Sequence, residues 1–224
     1  ADVSHYVKEG SALDLSAYDR GTSVYLADSV IPMLPKELSN GICSLNPNVD
    51  RLAMSCEMII NQSGEVTDYS IFPSVIHSAY KMTYTNINKI LDGDQEIIGQ
   101  YSDIYQEVIH MNELRHILSS VREKMGSINF ETIEPKFIFN QSGKITDMIV
   151  MDRGIGEQLI EEFMLVANQV VATHIHYMEL PFIYRVHELP NEERIQHVVQ
   201  MIEELGIDID PQIEIDQSFL QKIL

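Results

Sequence analysis

The segment EMIINQSGEVTDYSI, residues 57–71, reads as two extended runs joined by the tight turn Asn-Gln-Ser-Gly. Gly64 supplies the positive φ that a tight hairpin turn needs. Residues 136–150, KFIFNQSGKITDMIV, repeat this turn between two similar runs, with Gly143 in the equivalent place. The sequence therefore predicts two β-hairpins. Either a duplicated unit or the independent recurrence of hairpin chemistry explains the repeat, and the short match favours recurrence.

Three longer helices are predicted from hydrophobic periodicity, over about residues 102–124, 156–178 and 191–205. Asn191 caps the third helix and Gly206 ends it. The first two carry apolar faces, formed by Ile104, Val108, Met111, Leu114, Leu118 and Val121 in one and by Leu159, Ile160, Phe163, Val166, Ala167, Val170 and Val171 in the other. The wide face of the second helix predicts deep burial.

Shorter elements complete the prediction. Ser11 caps a short helix that ends near Tyr18, and residues 24–26 form a short strand. Residues 36–45 hold at most one helical turn, broken at Asn40 and Gly41, and residues 181–187 form a strand. Hairpins and helices mix without βαβ regularity. We therefore expect an α+β fold, with a mixed or antiparallel sheet, two hairpins and three longer flanking helices.

The chain is strongly acidic. Its 224 residues include 34 acidic and 15 basic side chains, a formal net charge of -19. An acidic surface repels phosphate backbones, so composition alone argues against a nucleic-acid partner. The excess is uneven, because residues 186–224 carry nine acidic and two basic side chains.

Two further compositional features bear on the environment of the chain. Cys43 and Cys56 are too few for a disulfide framework in a domain of this length, and we expect two buried thiols in a reducing compartment. The longest uncharged stretch, residues 163–178, is too short and too polar to span a membrane.

No strong catalytic motif is present, since the sequence has no phosphate-binding glycine loop, CxxC pair or HExxH. His174 and His176 lie two apart on a helix and so point to different sides. Glu161 either stabilises a helix N-terminus or accepts a hydrogen bond from a ligand hydroxyl. Aromatic residues beside turns or strands either pack in the core or stack on bases; these are Tyr25, Tyr84 and Phe130.

Several long motifs resemble one enzyme family. They are ADVSHYV at 1–7, RGTSVYL at 20–26, IPMLP at 31–35, LSNGICSLNP at 38–47, DRLAMSC at 50–56, LIEEFMLVAN at 159–168 and LPFIYRVHE at 180–188. Together they resemble the catalytic domain of the ribonuclease II and ribonuclease R family of 3′-to-5′ exoribonucleases, with the bacterial ribonuclease R branch most similar. The resemblance covers nearly the whole chain.

The resemblance implies a cytoplasmic Mg²⁺-dependent hydrolase. Single-stranded RNA enters a channel 3′ end first, and a metal-activated water releases 5′-mononucleotides. Neither DNA nor a membrane is an expected partner. The family's Asp-x5-Asp-x-Asp-Asp cluster would fall upstream of Ala1, and its Ser-Pro-Ile-Arg-Arg motif after Leu224. Residues 1–224 are thus expected to be the central part of the domain, truncated at both ends.

The same resemblance assigns site residues. Tyr25 matches the tyrosine that packs at the 3′-terminal nucleotides, and Phe130 matches the aromatic that closes the base stack. Tyr84 and Glu161 match a pair implicated in choosing RNA over DNA, which suits a contact to the 2′-hydroxyl. No catalytic residue or metal ligand is expected in this chain, and Mg²⁺ is expected in the intact enzyme without tight binding to this segment. The alternative is a non-catalytic RNA-binding or interaction protein of the same fold.

Overall fold

The computed structural model describes residues 1–127, 134–140, 142–151, 153–186 and 191–206. Within these ranges the helices are α1 (Val3–Tyr6), α2 (Ala12–Arg20), α3 (Tyr84–Leu91), α4 (Gln95–Gln100), α5 (Tyr105–Lys124), α6 (Ile155–Tyr177) and α7 (Glu192–Glu204). The strands are β1 (Val24–Tyr25), β2 (Val30–Ile31), β3 (Asp50–Ile60), β4 (Val66–His77), β5 (Glu134–Phe139) and β6 (Ile145–Met151). They pair as three two-stranded antiparallel sheets, so the α+β class is confirmed.

Both predicted hairpins form, and their turns have the same geometry. Asn61 Oδ1 accepts hydrogen bonds from the Ser63 amide, the Ser63 hydroxyl and the Glu65 amide at 2.8–3.0 Å. Asn140 Oδ1 accepts the equivalent three bonds, at 2.7–3.0 Å. Each ladder also shifts register at the residue pair that precedes the turn. An identical tetrapeptide is enough to produce this geometry, so both explanations of the repeat stay open.

The two turns differ in their surroundings. A Cβ added to Gly64 would lie 2.6 Å from Cγ2 of Val121, because the first turn packs against α5. A Cβ added to Gly143 would have no neighbour within 4 Å. Both glycines have positive φ, at 79° and 75°. The first hairpin is therefore anchored to a helix through a position where only glycine fits.

The three long helices occupy the predicted segments, with ends within three residues of those predicted. Asn191 caps α7 as predicted, since its Oδ1 accepts from the amide of Glu193 at 2.9 Å. Ser11 caps α2, which continues beyond Tyr18 to Arg20. Three shorter helices, α1, α3 and α4, were not predicted; Asp2, Thr83 and Asp94 cap them.

Two local predictions were wrong. Residues Glu37–Ile42 form a π-helical turn that runs through Asn40 and Gly41 without a break. Residues 181–186 form no strand, and His187 lies outside the described residues. Ile183 is 94% exposed. A segment rich in β-branched and aromatic residues forms a strand only where a second strand pairs with its backbone N–H and C=O groups. The described part of the chain provides no such partner strand for this segment.

The helical core is formed where α3, α5 and α6 pack together. Its buried apolar side chains include Ile90, Val108, Leu118, Leu159, Val166 and Val170. The predicted apolar face of α6 was partly wrong. Ile160, which was placed on that face, is 46% exposed, whereas the charged residue Glu162 is buried. No helix among the described residues is both long and apolar enough to cross a membrane.

The two cysteines are both free thiols. Each is half-buried, so the expectation that both thiols would be buried was wrong. Burial raises the pKa of the Cys56 thiol.

Candidate nucleic-acid interface

Glu161 lies in the second turn of α6 and forms an ion pair with Arg153, which precedes the helix. The Arg153 side chain is 39% exposed and that of Glu161 is 33% exposed. A ligand can therefore reach both groups.

Glu162, the next residue, has a different environment. Arg122 of α5 donates from Nε to both carboxylate oxygens, at 3.1 and 2.9 Å, and from Nη2 to Oε1 at 2.6 Å. Its Nη1 donates to the hydroxyl of Ser127 at 3.1 Å. The Glu162 side chain is only 5% exposed. Successive residues of a helix point about 100° apart, so burying Glu162 in this contact leaves Glu161 at the edge of the interface.

A second arginine of α5 also reaches α6. Arg115 is 7% exposed, and its Nη1 donates to the side-chain oxygen of Gln158 at 3.2 Å. Arg115 and Arg122 are seven residues apart and flank the buried Leu118, so they share one face of α5. The sequence interpretation missed both. Their spacing was the signal available in the sequence. Arg115 lies seven residues after Val108 and Arg122 lies four residues after Leu118, so both arginines fall on the buried face of α5.

The N-terminus of α6 is capped by a residue from another helix. Gly154 occupies the N-cap position and has no side chain to cap with. Asn88 of α3 replaces it: its Oδ1 accepts from the amide of Gly156 at 2.7 Å, and its Nδ2 donates to the carboxylate of Glu157 at 3.2 Å. A Cβ at Gly154 would lie 2.2 Å from Asn88 Nδ2. This close contact fixes the start of α6 against α3.

Tyr84 is the first residue of α3 and lies one turn before Asn88, on the same side of the helix. Its side chain is 49% exposed. The structure therefore places Tyr84 and Glu161 on two helices that are joined through Asn88. Sequence reasoning missed Asn88, because a cap supplied by another helix leaves no local pattern.

The segment around Tyr84 is held by polar contacts of neighbouring tyrosines. The hydroxyl of Tyr80 donates to Asp103 at 2.8 Å, and this bond raises the pKa of Tyr80. Asn86 Nδ2 donates to the hydroxyl of Tyr101 at 3.1 Å, and the rings of Tyr80 and Tyr101 meet edge to face at 5.3 Å. These bonds leave the Tyr84 ring accessible while fixing the backbone on both sides of it.

Tyr25 and Phe130 are the other aromatic candidates. Tyr25 lies in β1, pairs with Val30, and is 78% exposed. Phe130 lies outside the described residues. Both described rings, Tyr25 and Tyr84, are accessible and are not core residues.

The two histidines of α6 point to different neighbours. His174 Nδ1 lies 3.1 Å from the hydroxyl of Tyr69, and the His176 ring lies near Tyr177 and Tyr184. Over the ranges that the structure covers, no group of three or more His, Cys, Asp or Glu side chains is placed to hold a metal ion.

Comparisons with known proteins agree with the resemblance. The family model of the RNB domain matches residues 1–224. Ribonuclease R 1 of Lactococcus lactis is 47% identical over 225 residues, which cover 100% of this chain and 28% of that protein. Ribonuclease R of Thermotoga maritima is also 47% identical over 225 residues, covering 100% of this chain and 32% of that protein.

A solved structure gives the same result for the fold. RNase R of Mycoplasma genitalium, in complex with ribose methylated single-stranded RNA, superposes with a TM-score of 0.86 at 28% identity. The match covers 100% of this chain and 35% of that one. The same protein was also solved in complex with double-stranded RNA. The chain thus spans about a third of the length of these relatives.

Proposed function

This chain belongs to the RNB-domain family, and we propose that it forms the central part of the catalytic domain of a 3′-to-5′ exoribonuclease. The complete enzyme would degrade single-stranded RNA to 5′-mononucleotides. The observation that supports this proposal is the packing of α3 against α6, because each of these two helices carries one accessible candidate side chain, Tyr84 on α3 and Glu161 on α6. Accessible aromatic and carboxylate groups suit contacts to a base and to a ribose.

The role proposed for Glu161 is to accept a hydrogen bond from the ribose 2′-hydroxyl. A carboxylate is an acceptor only, and the 2′-hydroxyl is the donor that distinguishes RNA from DNA. A deoxyribose strand would leave the carboxylate facing the sugar without that bond. A hydrogen bond to a charged group contributes about 1.5–3 kcal/mol, which is enough to give a measurable preference for RNA.

The role proposed for Tyr25 and Tyr84 is stacking on or packing against nucleotides. Each base stacked on an aromatic ring contributes about 1–3 kcal/mol and does so largely independently of sequence. With a net charge of -19, the segment has little attraction for phosphates. RNA affinity within this segment therefore depends more on stacking than on phosphate contacts. Phe130 is proposed to close the stack.

The Mg²⁺ ions of the family are not assigned to this segment. The described residues bring together no set of three carboxylates, histidines or thiols that suits a divalent ion. The segment is proposed to supply channel wall, while the metal-binding aspartates lie elsewhere in the enzyme.

The test uses the full-length protein and two matched oligonucleotides, one of ribose and one with deoxyribose at the successive 3′-terminal positions. Glu161→Ala is expected to reduce the ratio of RNA to deoxyribose degradation rates by about tenfold or more. Asn168→Ala, on the exposed side of the same helix, is the control. An unchanged ratio in Glu161→Ala would refute the assigned role. Absence of Mg²⁺-dependent nuclease activity in the unmodified protein would instead favour the non-catalytic alternative.

A further inference from the structure

Arg153 is the partner that the described part of the chain provides for Glu161. This pairing has an electrostatic consequence for RNA binding. An unpaired carboxylate beside an RNA strand repels the phosphates on either side of the ribose that it contacts. An ion pair with a guanidinium removes most of that repulsion while the carboxylate oxygens stay available as acceptors.

The backbone next to Arg153 is held firmly. Gly154 packs so closely on Asn88 that a Cβ there would lie 2.2 Å from Nδ2, and Asn88 also binds the amide of Gly156. The Arg153 side chain therefore starts from a position fixed against α3 and runs along α6 to Glu161. Arg153 thus lies directly beside the junction that joins the helices of Tyr84 and Glu161.

Arg153 differs from the two arginines of α5 that contact α6. Arg122 is 24% exposed and gives its donors to Glu162 and Ser127. Arg115 is 7% exposed and is bonded to neighbouring side chains. Arg153 is 39% exposed, and a guanidinium has five N–H donors, of which one carboxylate uses at most two. Arg153 thus keeps donors that face solvent at the proposed ribose contact.

We propose that Arg153 is a specificity-determining residue of the RNA site. Its guanidinium orients the Glu161 carboxylate toward the 2′-hydroxyl and donates its remaining N–H groups to the adjoining phosphate. This inference rests on the role proposed for Glu161. The contact of Arg153 to the phosphate depends on charge and so on salt concentration. The contact of Glu161 depends on whether the sugar carries a 2′-hydroxyl.

The experiment measures two quantities in the full-length protein: the ratio of affinities for RNA and for the matched deoxyribose strand, and the salt dependence of RNA affinity. The variants are Arg153→Ala, Arg153→Lys, Glu161→Ala and the double variant Arg153→Ala with Glu161→Ala. Arg194→Ala, on α7, is a control for the loss of one arginine. Thermal melts check that each variant is folded.

Arg153→Ala is expected to lower the affinity ratio about tenfold, as a hydrogen-bonded charge would. It is also expected to reduce the slope of log affinity against log salt by about 0.7, the value for one phosphate contact on a single strand. Arg153→Lys keeps the positive charge, so the salt dependence of RNA affinity should not change. The ratio of RNA affinity to deoxyribose affinity should fall in part, because lysine lacks the planar guanidinium that orients a carboxylate. The double variant should lower the ratio no further than Glu161→Ala alone.

The outcomes separate the two proposals. If Glu161→Ala lowers the ratio and Arg153→Ala leaves both ratio and slope unchanged, the Arg153 proposal is overturned and the role of Glu161 stands. If Glu161→Ala leaves the ratio unchanged, the role of Glu161 fails and so does the orienting role of Arg153. A slope change equal to that of Arg194→Ala would overturn the phosphate contact.

Discussion

Arg122 on α5 holds both carboxylate oxygens of Glu162 on α6, with three hydrogen bonds of 2.6–3.1 Å. Breaking a buried ion pair leaves one charge without compensation, which costs about 3–5 kcal/mol. Glu162→Ala is therefore expected to lower the free energy of unfolding by this order, measured by urea denaturation. The paired replacement Arg122→Met with Glu162→Leu should cost much less, since no charge stays buried. Equal losses in the single and double variants would contradict this explanation.

Asn88 is expected to stabilise α6 although it belongs to α3. Asn88→Ala removes a cap, and a lost cap costs about 0.5–2 kcal/mol. Asn88→Asp keeps the oxygen that accepts from Gly156 but places a carboxylate against Glu157. Adding Glu157→Gln to Asn88→Asp should restore stability, because the new amide can donate to the aspartate. Thermal unfolding measures all three variants, and a failed rescue would argue against the bond to Glu157.

The two hairpin glycines give a matched pair. An alanine in the left-handed region costs roughly 1–2 kcal/mol, and this applies to both Gly64→Ala and Gly143→Ala. Gly64→Ala carries a further cost, because its Cβ would lie 2.6 Å from the Val121 side chain. The larger loss of stability is therefore expected at Gly64, and adding Val121→Ala should recover the difference. Equal losses would show that the contact with α5 relaxes without cost.

Cys56 is expected to react slowly with thiol reagents. Burial raises its pKa, so less of the reactive thiolate is present at neutral pH than for an ordinary cysteine. The alkylation rate by iodoacetamide, followed by mass spectrometry of the Cys56 peptide, should keep rising with pH beyond the point where a model thiol has levelled off. The unfolded chain in urea is the reference. A plateau at the same pH in both states would contradict a raised pKa.

The segment alone is expected to have no nuclease activity. Among its described residues no three or more His, Cys, Asp or Glu side chains are grouped to hold a metal ion, and its net charge of -19 opposes phosphate binding. Incubating residues 1–224 with labelled single-stranded RNA and Mg²⁺ should release no mononucleotides, with the full-length protein as the positive control. Turnover by the segment would show that a complete active site lies within it.

The sequence predicted correctly those elements whose hydrogen bonds form between residues that are close together in the chain. Asn-Gln-Ser-Gly fixes a hairpin turn through hydrogen bonds within five residues, and Asn191 caps its own helix. Residues 181–186 do not form the predicted strand, because a strand needs a partner strand that the sequence of the segment itself cannot specify. The site followed the same rule: Glu161 and Tyr84 were identified from motifs, whereas Asn88 and Arg122 were missed because they act on another helix.

The sequence by itself determined the family, the two hairpins, the long helices and the identity of the candidate RNA-binding residues. The tertiary structure decided which charged groups are buried and which face solvent. Glu161 and Glu162 are adjacent and chemically identical, yet Glu161 is 33% exposed and pairs with the exposed Arg153, whereas Glu162 is 5% exposed and pairs with the half-buried Arg122. The reason is that burial depends on which face of α6 meets α5. That face is chosen by packing between helices that lie about 40 residues apart in the chain.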